Sequence, residues 1–104
     1  MNNFFKLKNK IILLTGASGY IGKNILKTLI NEKCKIILIL RNKQSLMKIK
    51  NFINKKNIEI FYADLNYEKE LDLSLNQIKE KYSKIDGIIN LSSDNSGLGS
   101  AIYK

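Results

Sequence analysis

Four short apolar runs alternate along the chain with longer segments whose apolar residues recur at helical spacing. The runs cover residues 11–14, 35–41, 58–63 and 85–91, and polar residues follow each of them. Continuous apolar runs of this length are typical of strands that are buried on both faces of a parallel sheet. The alternation therefore predicts a β-α-β-α-β-α-β chain with helices on both faces of the sheet.

The three intervening segments are predicted to be amphipathic helices. The first follows residue 20, the second spans residues 42–57 and the third spans residues 67–83. In the third, acidic residues come early and lysines come late, which suits the helix dipole. The apolar residues that recur at helical spacing in the first helix are Ile21, Ile25, Leu26, Leu29 and Ile30. The predicted inward-facing residues are Leu46, Ile49, Phe52 and Ile53 in the second helix, and the predicted apolar stripe of the third is Leu71, Leu75, Ile78 and Tyr82.

Parallel strands joined by helices restrict the possible topologies. Right-handed crossovers favour a three-layer α/β, Rossmann-type doubly wound sheet, here a partial one of four strands in the order 3-2-1-4. In such sheets the ligand crevice lies at the carboxyl ends of the strands, where the winding reverses between strands one and four. The polar residues after each apolar run are therefore expected at one edge, beside this crevice.

A glycine-rich turn, Thr-Gly-Ala-Ser-Gly-Tyr-Ile-Gly at residues 15–22, joins the first strand to the first helix. A pyrophosphate binds backbone N–H groups at a helix N-terminus, and a Cβ would block its approach. Gly16 is expected to make the tight turn, Gly19 to admit the phosphates and Gly22 to let the helix pack closely. The strand-turn-helix context predicts a dinucleotide site, against the alternative of a plain βα turn.

Polar residues at three further strand ends extend this prediction. Arg41 ends the second strand, where an acidic residue would hold the ribose 2′-hydroxyl of NAD. An arginine instead suits the 2′-phosphate of NADP, and Asn42 can add a hydrogen bond. The alternative for Arg41 is an exposed cation that closes a strand.

The third and fourth strand ends complete the predicted crevice. Asp64 and Leu65 are placed to meet an adenine, although Asp64 could instead be a helix N-cap. Asn90 and Ser92 are placed beside the nicotinamide ribose, although both are also ordinary turn residues.

Composition narrows the possible partners. The formal charge is +9, but the lysines are spread along all 104 residues and only one basic residue is an arginine, so we expect no nucleic-acid partner. No apolar run is long enough to cross a bilayer and residues 1–10 lack the pattern of a signal peptide, so we expect no membrane partner and a cytoplasmic protein. Cys34 is expected to be a packing residue, and the absence of histidine disfavours a metal site.

At these residues the chain resembles the short-chain dehydrogenase/reductase family, from Lys10 to about Ser93. Residues 15–22 match the TGxxGxxG form of the extended branch, which includes sugar-nucleotide epimerases and dehydratases. Arg41-Asn42, Asp64-Leu65 and residues 79–90 are similar to the single-domain branch, whereas Asn-Leu-Ser-Ser at residues 90–93 is closer to the His-Leu-Ala-Ala of the extended branch. The resemblance leaves the branch open.

The resemblance implies an oxidoreductase whose cofactor is NADP rather than NAD. It implies that the turn lines the phosphates, that Arg41 and Asn42 bind the 2′-phosphate, and that the other two strand ends bind the adenine and the nicotinamide ribose. The implied cofactor-binding residues are Gly16, Ser18, Gly19, Tyr20, Ile21, Gly22, Arg41, Asn42, Asp64, Leu65, Asn90 and Ser92.

The family's catalytic Tyr-x-x-x-Lys does not occur in these 104 residues, because none of the five tyrosines is followed by a lysine four positions later. We therefore expect the N-terminal, NAD(P)-binding portion of a longer domain that moves hydride between NADP(H) and a carbonyl or alcohol. A small-molecule substrate is expected only in the complete parent enzyme. The alternatives are a fragment of an epimerase or dehydratase and a non-catalytic nucleotide-binding or sensor module. An exposed fourth strand would favour self-association.

Overall fold

The computed structural model describes residues 7–53 and 57–92, which form a four-stranded parallel sheet with helices on both faces. The strand order is β3-β2-β1-β4, which confirms the predicted doubly wound topology. The elements in chain order are β1 (Ile11–Thr15), α1 (Tyr20–Asn31), β2 (Lys35–Leu40), α2 (Lys43–Ile49), a 3₁₀ turn (Lys50–Phe52), β3 (Ile58–Tyr62), α3 (Glu68–Lys81) and β4 (Gly87–Asn90).

The two central strands carry the core because they are apolar on both faces. On one face, Leu14, Ile36 and Leu38 pack with residues of α1 and α2. On the other face, Leu13 and Ile37 pack with α3. Of the predicted inward-facing residues of α3, Leu71, Leu75 and Ile78 are buried, and Tyr82 is half-buried against them. The three layers therefore follow directly from the apolar pattern.

The second helix is shorter than predicted. The pattern over residues 42–57 predicted one helix, but α2 ends at Ile49 and the chain continues as the 3₁₀ turn. Asn51, Asn54 and Asn57 are poor helix formers, and Ile53 is already extended, at φ −85° and ψ 125°. The buried side chain of Ile49 still matches the prediction. Residues 54–56, in the C-terminal part of the predicted helix, and residues 93–104 lie outside the described residues.

Two carboxylates fix strand starts at the amino edge of the sheet. Asp86 accepts a hydrogen bond from the N–H of Ile11 at 2.8 Å, and this bond, with the nearby Lys84, holds the pKa of Asp86 below its ordinary value. Glu59 accepts hydrogen bonds from Lys81, at 2.7 Å, and from the hydroxyl of Tyr82. Burial, together with the bond to Glu59 and its negative charge, raises the pKa of Tyr82 to about 12.

Cys34 is a buried packing residue, as the sequence predicts. Its side chain is 1% exposed and its Sγ donates to the carbonyl of Leu29 at 3.3 Å. Burial raises the pKa of the thiol. Over residues 7–53 and 57–92, no helix has the length and apolar character that a membrane crossing requires.

Candidate functional site at the carboxyl edge of the sheet

The turn after β1 requires glycine at position 16. Gly16 has φ +77°, in the left-handed region that side chains disfavour. A Cβ there would lie 2.5 Å from the carbonyl carbon of Leu91 and 2.7 Å from the backbone nitrogen of Ser92. The first residues after β4 therefore pack against the turn with no room for a side chain.

Gly22 and Gly19 differ in what surrounds them. A Cβ on Gly22 would lie 1.9 Å from the carbonyl oxygen of Gly16 and 2.8 Å from the Cα of Ala17, so α1 packs directly on the turn. A Cβ on Gly19 would meet only the Gly16 oxygen, at an ordinary 3.7 Å. Folding therefore excludes a side chain at Gly22 but not at Gly19.

The N-terminus of α1 offers its backbone N–H groups without competition from its own residues. Gly19 is the N-cap and supplies no side-chain hydrogen bond, and the first turn contains no acidic residue. The first N–H groups of a helix lack intrahelical partners, and the helix dipole makes this end electropositive. This end of α1 is suited to an anion.

A cleft of about 410 Å³, called here the main cleft, opens at the carboxyl edge of the sheet. It brings together the glycine turn and the ends of β2 and β3, and α2 forms one wall. Its lining is residues 16–19, 39–42 and 63–66, with Gln44, Ser45, Lys48, Leu91 and Ser92. Eight of the sequence-predicted site residues line it: Gly16, Ser18, Gly19, Arg41, Asn42, Asp64, Leu65 and Ser92.

Arg41 and Asp64 form an ion pair at the ends of neighbouring strands. The Nε of Arg41 lies 3.4 Å from Oδ2 of Asp64, and their side chains are 65% and 18% exposed. The Oδ1 of Asp64 accepts from the N–H of Asn66 at 3.0 Å. Asp64 is thus fixed in a turn ahead of α3, whose N-cap is Tyr67, so the alternative of an N-cap role for Asp64 does not hold.

Asn42 is the N-cap of α2. Its Oδ1 accepts from the backbone N–H of Ser45 at 2.9 Å and from the Ser45 hydroxyl at 3.2 Å. The amide nitrogen is the group of this side chain suited to donate to a phosphate. The cap also fixes the start of α2 directly after Arg41.

Asn90 lies at the end of β4 and ties together two strand ends. Its Oδ1 accepts from the hydroxyl of Thr15, which is fully buried, and from the N–H of Ser92 at 3.3 Å. Asn90 does not itself line the main cleft. The structure therefore places Asn90 behind the crevice that Ser92 lines.

The remaining predicted residues border a second cleft, called here the side cleft. Tyr20, Ile21 and Gly22 line it with Gly16, Gly19 and Leu91, and its volume is about 340 Å³. Tyr20 and Ile21 are 84% and 65% exposed. Because both clefts share Gly16, Gly19 and Leu91, they meet at the turn, on either side of it.

Sequence reasoning missed the contribution of α2. Lys48 lines the main cleft with Gln44 and Ser45, and the predicted set of site residues contains none of these three. Gln44 and Lys48 are four residues apart and so share one face of the helix. The position of this helix face soon after the strand end at Arg41 is the feature of the sequence that indicates its nearness to the crevice. Within the described part of the chain, no group of three or more His, Cys, Asp or Glu could hold a metal ion.

The parallel 3-2-1-4 sheet, with a glycine turn at the point where the winding reverses, defines a Rossmann-type α/β protein. The chain belongs to the short-chain dehydrogenase family, a family of NAD(P)(H)-binding oxidoreductases, because the family model described as short chain dehydrogenase matches residues 10–101. This result confirms the resemblance seen in the sequence.

Individual relatives agree with this assignment. The chain is 37% identical over 89 residues to the post-translational flagellin modification protein A of Campylobacter coli, and the aligned region covers 83% of this chain and 35% of that protein. It is 32% identical over 88 residues to an uncharacterized oxidoreductase of Staphylococcus saprophyticus, covering 82% of this chain and 38% of that one. The chain thus spans little more than a third of the length of these relatives.

Solved structures show the same fold. A structure described as a short chain dehydrogenase from Escherichia coli CFT073 superposes with a TM-score of 0.72 at 27% identity, over 84% of this chain and 40% of that one. A 3-ketoacyl-(acyl-carrier-protein) reductase from Brucella melitensis, solved in complex with NADH, has a TM-score of 0.66 at 23% identity, over 79% of this chain and 33% of that one.

Proposed function

We propose that this chain is the cofactor-binding part of a short-chain oxidoreductase and that it binds NADP(H) in preference to NAD(H). The observation that carries the proposal is the meeting of the main and side clefts at the turn that begins α1. A dinucleotide has two halves joined by a pyrophosphate, and two clefts joined at an anion-binding helix end match that shape.

Each part of the crevice suits one part of the cofactor. The pyrophosphate would rest on the N–H groups at the start of α1, where Gly19 leaves space. The adenine would lie in the main cleft beside Asp64 and Leu65, and the nicotinamide half would lie toward Ile21 and Ser92. The bound nicotinamide supplies or accepts the hydride, while this chain's residues bind it and orient it.

The preference for NADP(H) rests on Arg41. No carboxylate stands at positions 41 and 42, where an acidic residue would bind the ribose 2′-hydroxyl of NAD. Arg41 is 65% exposed at the cleft, and the amide nitrogen of Asn42 offers a second donor. A guanidinium is well suited to a phosphate because its donors match phosphate oxygens in geometry.

These 104 residues lack the acid-base motif with which the family performs catalysis. In the family a Tyr-x-x-x-Lys exchanges a proton with the substrate oxygen while hydride moves, and this chain has none. We therefore expect the chain to bind NADPH without oxidising it when carbonyl compounds are added. Steady oxidation above the protein-free rate would show that another group performs the acid-base step.

Fluorescence titration of the 104-residue chain with NADPH and NADH tests the proposal. Arg41→Asp should raise the Kd for NADPH about 10- to 100-fold, since a hydrogen bond to a charged group contributes about 1.5–3 kcal/mol. The Kd for NADH should stay the same or fall, since an acidic residue at this position suits the ribose 2′-hydroxyl that NADH carries.

The matched control is Lys69→Asp. Lys69 is exposed in the first turn of α3, does not line either cleft, and undergoes the same charge reversal. It should leave both affinities near the wild-type values. Equal affinity of wild type and Arg41→Asp for NADPH would refute the role of Arg41, and absence of binding to either dinucleotide would refute the proposed function.

A further inference from the structure

We propose that Lys48 is a second cation for the 2′-phosphate and that Asp64 offsets the charge of Arg41, so that three side chains together set the preference for NADPH. This inference rests on the proposed function and deepens it. The relevant feature is the charge of the main cleft, whose charged lining residues in the described chain are Arg41, Lys48 and Asp64.

Arg41 is already partly neutralised before a ligand arrives. Its Nε faces the Asp64 carboxylate at 3.4 Å, which leaves the terminal amino groups of the guanidinium for a phosphate. Asp64 is only 18% exposed and its other oxygen is held by Asn66 at 3.0 Å, so the carboxylate is fixed in place. A phosphate bound to Arg41 therefore lies near a fixed negative charge.

A phosphate monoester carries a charge of about −1.5 to −2 at neutral pH. The pair of Arg41 and Asp64 has no net charge, so it provides no long-range attraction for such a group. Lys48 makes the cleft net positive. This net positive charge attracts the 2′-phosphate, which NADPH carries and NADH lacks.

The fold fixes Lys48 relative to Arg41. Asn42, the next residue after Arg41, caps α2 through Ser45 at 2.9 Å, and the buried Ile49 anchors the end of the same helix. Lys48 precedes Ile49 and faces the cleft together with Gln44. The short helix thus places a cation in the wall of the main cleft that also contains Arg41.

Titration of four forms of the 104-residue chain with NADPH and NADH tests the inference: wild type, Lys48→Gln, Asp64→Asn and the control Lys50→Gln. Lys50 is exposed two residues away and does not line the cleft. Lys48→Gln should lower the ratio of NADPH to NADH affinity about 3- to 10-fold, and Lys50→Gln should not. Asp64→Asn should raise the ratio of NADPH to NADH affinity about 3-fold. Any effect of this substitution on adenine binding is the same for both ligands and therefore cancels in the ratio.

Two further measurements make the outcome decisive. Lys48→Arg keeps the charge and should restore the wild-type ratio, and raising the salt concentration should reduce the ratio more for wild type than for Lys48→Gln. Thermal unfolding monitored by circular dichroism should be the same for all forms. An unchanged ratio in Lys48→Gln, with NADPH binding still dependent on Arg41, overturns this inference and leaves the proposed function standing. Absence of dinucleotide binding by wild type overturns both.

Discussion

Replacing Gly19 by alanine should separate the requirements of folding from those of the cofactor. The backbone at Gly19, with φ −76° and ψ 171°, is one that alanine adopts freely. The new Cβ would have its nearest neighbour at 3.7 Å. Loss of a glycine N-cap is offset by the lower entropy of the unfolded chain, so the free energy of unfolding should stay within about 0.5 kcal/mol of wild type.

Binding should respond very differently, because the added methyl group occupies the space where both clefts meet. Displacing the pyrophosphate from the N–H groups of α1 costs at least one charge-assisted hydrogen bond, about 1.5–3 kcal/mol, so the Kd should rise about 10- to 100-fold. The loss should be equal for NADPH and NADH, since both carry the pyrophosphate.

Gly22→Ala is the matched comparison. Its Cβ would lie 1.9 Å from a backbone oxygen, which cannot move as a side chain can. Overpacking of about 1–3 kcal/mol exceeds the helix propensity that alanine gains, about 1 kcal/mol, so urea unfolding should show a clear loss of stability. If Gly19→Ala bound both dinucleotides as wild type does, the pyrophosphate could not lie at the start of α1 and the reasoning would be refuted.

Three further predictions concern other parts of the molecule. Tyr82→Phe should destabilise the fold by about 1 kcal/mol at pH 7 through loss of the bond to Glu59. Because the pKa of Tyr82 is raised from 10.0 to about 12, this difference should be full below pH 10 and should vanish as the pH rises through 12, as measured by urea unfolding. Cys34 should react with a thiol reagent only as fast as the chain unfolds, and immediate full labelling of the native protein would contradict its burial. Self-association through the edge of β4 should decrease in Ile88→Lys. It should not decrease in Leu73→Lys, which introduces the same charge at an exposed site on α3. Equal self-association of the two variants in sedimentation velocity would show that the edge of β4 is not involved.

Apolar periodicity was sufficient to predict the order and layers of the fold. The runs that form β1 and β2 are apolar at every central position, so only a buried parallel strand accounts for them. Helix length was less predictable, because Ile49 and Ile53 keep helical spacing although the chain turns away between them. The position of Gly16 at φ +77° follows from its place in the motif, but the contact with Leu91 depends on how β4 docks.

Pairing between strand ends was the part that the sequence could not supply. Arg41 and Asp64 are far apart in the chain, and only the register of β2 against β3, in which Leu40 lies opposite Tyr62, brings them together. The same holds for Thr15 and Asn90, which pair through the register of β1 and β4. For Lys48, the spacing in the sequence indicates only that it shares a helix face with Gln44, and the way α2 packs beside the strand ends turns that face toward the cleft.

The close packing of Gly16 against Leu91 and Ser92 relates cofactor binding to the order in which the strands pair during folding. Ile11 pairs with Lys35, close in sequence, whereas Ile12 pairs with Gly87, much further along, so the β1-α1-β2 unit can close before β4 arrives. The glycine turn gains its contacts with Leu91 and Ser92 only after β4 has paired with β1. A dinucleotide held by that turn and by Ser92 would bind only the state in which β4 is paired with β1. A higher concentration of dinucleotide would therefore increase the fraction of molecules in which β4 is paired.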